Sequence, residues 1–378
     1  MGIRNLPPAS ALTAPTREAP HRLVRVLVVD DSAYVRFTVS RHLSEAPGLA
    51  VVGVAGDGRE ALELIPRLQP DVITLDVEMP RLDGLSTLRE IMARHPLPVV
   101  MLSSLTTEGA RETVQALTWG AVDVVAKPAA RANIVAAMDE IIAKVRIAAG
   151  ARVAPIQNGS HPERARSADG RAAAKRTRPL RARDKVVVIG ASTGGPRALT
   201  AVVAGLPADL PAAVMIIQHM PVGFTRSLAE RLDALSPLAI HEAAPGDALE
   251  VGRALVAPGG FHMAVDESDR VTLNQNPTVH GVRPALDVTM VSAVQRYGAG
   301  TVGVVLTGMG RDGTNGAQLI HEAGGYVVTE AESSCVVWGM PRSVAEAGAA
   351  DSIVPLPEVA EAIVRAVMAD GISLMAYR

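Results

Sequence analysis

Val186-Val187-Val188-Ile189-Gly190-Ala191-Ser192-Thr193-Gly194-Gly195-Pro196 is the stretch on which the reading of this chain turns. Its four leading apolar residues, mostly β-branched, predict a buried parallel strand. The Gly-rich segment that follows predicts a tight turn into a helix from about Pro196 to Ala204, with proline suited to a first helical turn. Such a turn leaves backbone N–H groups and the Ser192 hydroxyl at the carboxyl end of a strand, where open α/β sheets place their ligands. Three readings of the loop compete. Gly190-x-Ser192-x-Gly194 has the spacing of a nucleophile elbow, in which nearby N–H groups can form an oxyanion hole. A dinucleotide loop would fit less well, because the pattern is Gly-x-Ser-x-x-Gly and the next strand ends in Gln218-His219 where an acid is expected. A structural turn, with glycine supplying backbone freedom, is the third.

Downstream, parallel strands are expected at 213–217, ending in Gln218-His219-Met220-Pro221, and at 302–306, ending in Thr307-Gly308-Met309-Gly310-Arg311-Asp312-Gly313. Segments 254–257 and 263–273 read as the arms of a β-hairpin, and apolar runs at 326–328 and 353–356 would complete a second, mostly parallel sheet. Ser192, His219 and Asp312 then each lie just beyond the carboxyl end of a strand, so all three face one sheet edge although 27 and then 93 residues separate them. A serine hydroxyl needs an adjacent base, and that base needs a carboxylate to fix its tautomer. The chain order Ser, His, Asp differs from that of α/β-hydrolases, which disfavours that fold.

The first part of the chain carries a second constellation. Short apolar runs at 24–29, 49–54, 72–75, 98–102 and 122–125 alternate with amphipathic stretches beginning near Ala33, Gly58, Leu85 and Glu108, and with a last one from Ala132 to Ala148. This alternation predicts a doubly wound parallel sheet. It gathers Asp30, Asp31 and Asp76 on one edge beside Ser103 and Lys127. Clustered carboxylates repel unless they share a cation, and an all-oxygen site suits Mg²⁺. The alternative is that each acid merely caps a helix.

The expected organisation is therefore an extension at 1–22, a first α/β domain at 23–148, a linker at 149–184 and a second α/β domain at 185–378. The extension is rich in proline and lacks periodicity. Between Ala151 and Lys185 the linker carries ten Lys or Arg against three acids, so it should be extended by self-repulsion. The whole chain of 378 residues has a formal charge of −2, no nucleic-acid footprint. A single cysteine, Cys335, excludes an internal disulfide and suits a reducing compartment. Neither a signal peptide nor a charge-free run of membrane length is visible, so a soluble cytoplasmic protein without membrane insertion is expected.

Val28-Val29-Asp30-Asp31-Ser32, Leu75-Asp76-Val77-Glu78-Met79-Pro80, Asp83-Gly84 and Lys127-Pro128 resemble a response-regulator receiver domain of the flavodoxin-like class. The resemblance implies phosphorylation of Asp76, Mg²⁺ held by Asp30, Asp31 and Asp76, and a phosphoryl group contacted by Ser103 and Lys127. It further implies a cis Lys127-Pro128 bond. Where such domains usually carry Phe or Tyr, three residues before the lysine, stands Val124. The signal must then travel by a packing change other than an aromatic rotamer switch.

The second half resembles the Rossmann-like catalytic domain of the chemotaxis-type protein-glutamate methylesterases. The motifs are Gly190 to Pro196, Gln218 to Pro221, Ala257-Pro258-Gly259-Gly260, Leu306 to Gly313 and Ser334-Cys335-Val336-Val337-Trp338-Gly339-Met340-Pro341. This resemblance implies hydrolysis of γ-glutamyl methyl esters on chemoreceptors with release of methanol, and deamidation of receptor glutamines. Ser192 would be the nucleophile, His219 the base and Asp312 its orienting acid, with Thr193, Gly194 and Met309 lining the site. No cofactor is expected for the ester reaction. The implied partners are the methyl-accepting receptors as substrate and a chemotaxis histidine kinase as phosphodonor. Other expectations for the same chain are esterase chemistry on a receptor of a non-motility pathway, or a receptor-binding adaptor without enzymatic activity.

Overall fold

A computed structural model describes residues 22–104, 106–127, 134–153 and 175–369. Nearly all of the expected extension, much of the linker and the Lys127-Pro128 bond lie outside the described residues.

Strands β1 (Val24–Val29), β2 (Leu49–Ala55), β3 (Val72–Asp76), β4 (Val99–Ser103) and β5 (Asp123–Ala126) form a parallel sheet in the order β2-β1-β3-β4-β5. Helices α1 (Ala33–Glu45), α2 (Gly58–Leu68), α3 (Gly84–Arg94), α4 (Thr107–Thr118) and α5 (Ile134–Ala149) connect and cover it. Side chains set where the helices start. Ser32 accepts from Val35 N, Asp57 from Arg59 N and Glu60 N, Asp83 from Ser86 N, and Thr106 from Gly109 N. Each cap satisfies a backbone donor that an α-helix start leaves without a partner. The central strands β3 and β4 are buried along their whole length, which explains their unbroken apolar character.

The second half contains β6 (Arg178–Pro179), β7 (Lys185–Ala191), β8 (Ala212–Gln218), β9 (Ala239–Glu242), β10 (Glu250–Val251) and β11 (Arg253–Val256). After these come β12 (His262–Val265), β13 (Val271–Asn274), β14 (Thr301–Val305), β15 (Tyr326–Glu330) and β16 (Ser352–Val354). Seven of them make a parallel sheet in the order β16-β15-β14-β7-β8-β11-β9, flanked by α6 (Gly195–Gly205), α7 (Phe224–Leu235), α8 (Leu286–Tyr297), α9 (Thr314–Glu322), α10 (Met340–Glu346) and α11 (Leu356–Met368). The chain runs outward from β7 through β8 and later returns to β14 on the other side. This makes the β7/β14 boundary a topological switch point, the place where such sheets open a ligand crevice.

One strand expectation is corrected. Segment 254–257 was expected as a hairpin arm, yet β11 lies inside the main sheet, parallel to both β8 and β9. The hairpin is β12 with β13 alone. The edge strand β9, Ala239-Ile240-His241-Glu242, has no place in the sequence reading because half of it is polar.

The two sheets are not independent bodies joined only by a tether. Helix α4 packs on α7 and α6, and its buried Ala110, Val114 and Leu117 belong to the same apolar cluster as Leu199, Val203 and Leu228.

Candidate active site

Ser192 follows β7 directly, and the chain around it is fixed by backbone bonds rather than by its hydroxyl. Ser192 N donates to Thr307 O at 3.0 Å, the Gln218 side-chain amide donates to Ser192 O at 2.9 Å, and Gly195 N donates to the same carbonyl at 2.8 Å. Gly194 has φ +78°, a conformation that glycine adopts without steric cost. A Cβ on Gly195 would come within 2.0 Å of Gln218 Oε1, so the loop closes onto the end of β8.

His219, just past β8, places Nε2 at 2.8 Å from Asp312 Oδ2. The acid is held by four backbone donors or ring donors in all: His219 and Leu286 N on Oδ2, Asp287 N and Gly313 N on Oδ1. Burial alone pushes the Asp312 carboxyl up. The His219 ring and the Asp287 and Leu286 N–H groups outweigh it and hold the carboxyl below its ordinary range. With Nε2 turned to the carboxylate, Nδ1 is the His219 nitrogen left for a hydroxyl. Among the described residues Ser192 Oγ makes no hydrogen bond to it; catalytic bonds of this kind commonly tighten only when substrate is bound. Ser192, Thr193, His219, Met309 and Asp312 line one cavity of about 340 Å³, with Met309 half-exposed at its rim.

Residues that sequence reasoning missed support this arrangement. Thr307 Oγ1 donates to Thr193 O at 3.0 Å, and its N–H donates to the fully buried Glu330 carboxylate at 2.9 Å. Burial raises Glu330 above its ordinary value, against the pull of the Thr307 N–H and the Ser334 hydroxyl. Cys335, by contrast, has its thiol pushed well up by burial and by Glu330, which keeps it neutral.

The same cavity is also walled by Asp123, Glu140, Lys144 and Ile147 from the first sheet and its α5. Thr193 Oγ1 donates to Asp123 Oδ2 at 2.6 Å and Gly194 N donates to Val122 O at 3.1 Å. Lys144 bridges Asp123 and Glu140 at 2.9 Å each. Arg152–Glu332 and Arg111–Glu230 pairs flank the contact.

A second cleft is lined by Asp31, Asp76, Glu78, Ser104 and Lys127. Lys127 Nζ lies 2.8 Å from Asp30 Oδ2 and 2.7 Å from Asp76 Oδ2. Carboxylate oxygens of Asp30, Asp31 and Asp76 lie within 4.8 Å of one another. An oxygen-only set with one exposed member fits a hard divalent ion that keeps several waters. Burial, with Asp30 adding to it, carries Asp76 up to about 6 despite the Lys127 ammonium. Ser103 is not brought to this cleft: it is buried, and its hydroxyl donates to Ser104 O and Gly109 O. Its neighbour Ser104 lines the cleft and donates to Glu78 Oε1 at 2.6 Å.

Comparison with known proteins agrees with this division of chemistry. Residues 26–139 match the response regulator receiver domain model and residues 187–363 the CheB methylesterase model. The chain is 51% identical over 354 residues to a protein-glutamate methylesterase/protein-glutamine glutaminase of Symbiobacterium thermophilum, covering 92% of this chain and 98% of that one. It is 44% identical to the protein of that name from Pyrococcus horikoshii, covering 92% and 94%. Among solved structures, the Thermotoga maritima CheB methylesterase catalytic domain is 43% identical, with a TM-score of 0.47, 48% of this chain and 98% of that one covered. No helix among the described residues is long and apolar enough to cross a membrane. A receiver sheet and a methylesterase sheet in one polypeptide, with relatives alike along nine-tenths of its length, place the chain in the CheB family of protein-glutamate methylesterases.

Proposed function

We propose that this chain hydrolyses γ-glutamyl methyl esters on chemoreceptors, deamidates receptor glutamines at the same site, and is switched on by phosphorylation of Asp76. The observation that carries the reading is the buried His219–Asp312 pair, 2.8 Å long, at the switch-point cavity that Ser192 also lines.

In this mechanism Ser192 Oγ attacks the ester carbonyl carbon while its proton passes to His219 Nδ1, and the carbonyl π pair moves onto oxygen. Asp312 stabilises the imidazolium. Collapse of the tetrahedral intermediate breaks the C–O bond, and His219 returns its proton to the departing methoxy oxygen, giving methanol. Water then repeats the sequence on the acyl-enzyme and releases glutamate. The Thr193 N–H makes no hydrogen bond among the described residues and is the loop's donor for the oxyanion. The Gly194 N–H joins it only once Val122 O withdraws.

Asp30, Asp31 and Asp76 would hold Mg²⁺, which neutralises charge on the transferring phosphoryl group. Lys127 contacts that group, and Ser103 could do so only after its side chain turns. The receiver covers residues 23–148, the catalytic domain 185–378, with the basic segment between them as a tether. A histidine kinase is the phosphodonor.

The test is methanol release from methylated receptor membranes with a small-molecule phosphodonor and Mg²⁺. Ser192→Ala should lower the rate by as much as about 10⁶-fold, as in serine hydrolases stripped of their nucleophile. Activity within tenfold of wild type would rule Ser192 out.

A further inference from the structure

The cavity holds a second histidine that the mechanism above does not use. His280 and Gly281 sit at the tip of a turn closed by reciprocal bonds, Val279 N to Val282 O at 3.2 Å and Val282 N to Val279 O at 3.0 Å. Both tip residues are left-handed, with φ +53° and +78°. That pair of angles belongs to type I′ turns, whose first position favours Asn, Asp or Gly. A histidine there is the poorer choice for the turn alone.

It is nonetheless anchored. His280 Nε2 lies 2.9 Å from Asp287 Oδ2, and Asp287 is almost fully buried in the first turn of α8. The anchor shares its foundation with the catalytic acid: Asp287 N donates to Asp312 Oδ1 at 2.9 Å, and Gly316 N donates to Asp287 Oδ1 at 2.8 Å. His280, Asp287 and Asp312 lie close enough together to suggest a metal site. The carboxylate oxygens of both acids already accept from ring or backbone N–H groups, so hydrogen bonding accounts for the cluster. In the neutral tautomer that donates from Nε2 to this carboxylate, Nδ1 is a lone-pair acceptor on a ring that lines the same cavity as Ser192 and His219. A strained position occupied against local preference and braced by a buried acid is the pattern expected of a functional residue.

We propose that His280 is a specificity-determining residue that contacts the leaving group and favours deamidation over ester hydrolysis. This rests on the reading that one site performs both reactions. In the tetrahedral intermediate from glutamine, nitrogen carries two N–H bonds and one lone pair. Ammonia leaves only when that lone pair takes the proton from His219; the C–N bond then breaks with its electrons going to nitrogen, and the oxyanion re-forms the carbonyl. An N–H held on His280 Nδ1 turns the lone pair toward His219. The methoxy oxygen has two lone pairs and no hydrogen to donate, so it gains nothing from His280.

His280→Gly tests this while suiting the turn. With phosphodonor-activated full-length protein, ammonia release is measured from receptor membranes carrying glutamine at the modified position, and methanol release from those carrying the methyl ester. The amide kcat/KM should fall about tenfold, the worth of one well-placed hydrogen bond, with the ester value within threefold, and added imidazole should restore the amide rate alone. Equal losses on both substrates would overturn the proposal, as would an unchanged ratio, a failure of imidazole to restore the amide rate, or wild-type protein that cleaves the ester but not the amide. Wild-type protein that cleaves neither would instead remove the esterase reading beneath it.

Discussion

Asp312 and Asp76 are both buried carboxyls that burial pushes up, and their neighbours outweigh burial at Asp312 but not at Asp76. Asp312 meets a ring and backbone N–H groups and stays ionised. Replacing it by Asn keeps the shape but presents an N–H where an acceptor is needed, which favours the wrong His219 tautomer. Asp312→Asn should therefore lower methanol release by about 10⁴-fold, the size seen for the equivalent change in a serine protease; unchanged turnover would remove Asp312 from the triad. Asp76 is raised from 3.8 to about 6, chiefly by burial. An acid that binds its proton more tightly when folded favours the native state most at low pH, and that advantage disappears as pH climbs from about 4 to about 6. By linkage the loss is up to roughly 3 kcal/mol. Urea unfolding across this range should show wild type losing stability relative to Asp76→Asn, with Mg²⁺ reducing the difference. A difference independent of pH would contradict the assignment.

At the level of elements, the catalytic geometry depends on loops that touch without side chains between them. A Cβ on Gly308 would stand 2.7 Å from Ser192 Cβ and 2.6 Å from Met340 Sδ. Gly308→Ala should thus displace the serine, and a shift of about 1 Å can cost about 10²-fold in rate. Near-wild-type methanol release from this variant would show that the loop yields freely. These approaches also mark where sequence reasoning stopped. Ser192, His219 and Asp312 were legible as candidates because each lies beyond a strand of buried apolar residues, the first two directly and Asp312 across a Gly-rich loop, and parallel topology brings strand ends together. Thr307 and Glu330 were not, since their importance lies in contacts across 23 to 114 residues that no periodicity encodes. Strand β11 was misread for a related reason: four residues carry no sign of whether their partner is the next segment or a distant one.

For the whole molecule, the first sheet's edge and α5 wall the catalytic cavity, so the resting chain should be slower than its catalytic part. The isolated fragment 184–378 should release methanol faster than the unphosphorylated full-length chain, within the 5- to 150-fold span typical of coupling energies of 1 to 3 kcal/mol. With valine in place of the aromatic at 124, stimulation by phosphodonor should lie in the lower part of that span, and Asp76→Asn should abolish it. A fragment no faster than the resting chain would show that the receiver does not inhibit by covering the site. Asp123→Ala, which removes the acceptor for Thr193 Oγ1, should raise basal activity in the same direction. The contact is made at the start of β5, not at the phosphorylation edge: Val122 and Asp123 meet the esterase loop, while Lys127 just beyond the strand's other end meets Asp76. One strand of four residues thus has a proposed active centre at each end, about 13 Å apart at the usual rise per residue. It works as a spacer of fixed length, and one added residue would both lengthen it and turn its side chains to the opposite face. Such an insertion would break the register between the two sites and leave each deaf to the other.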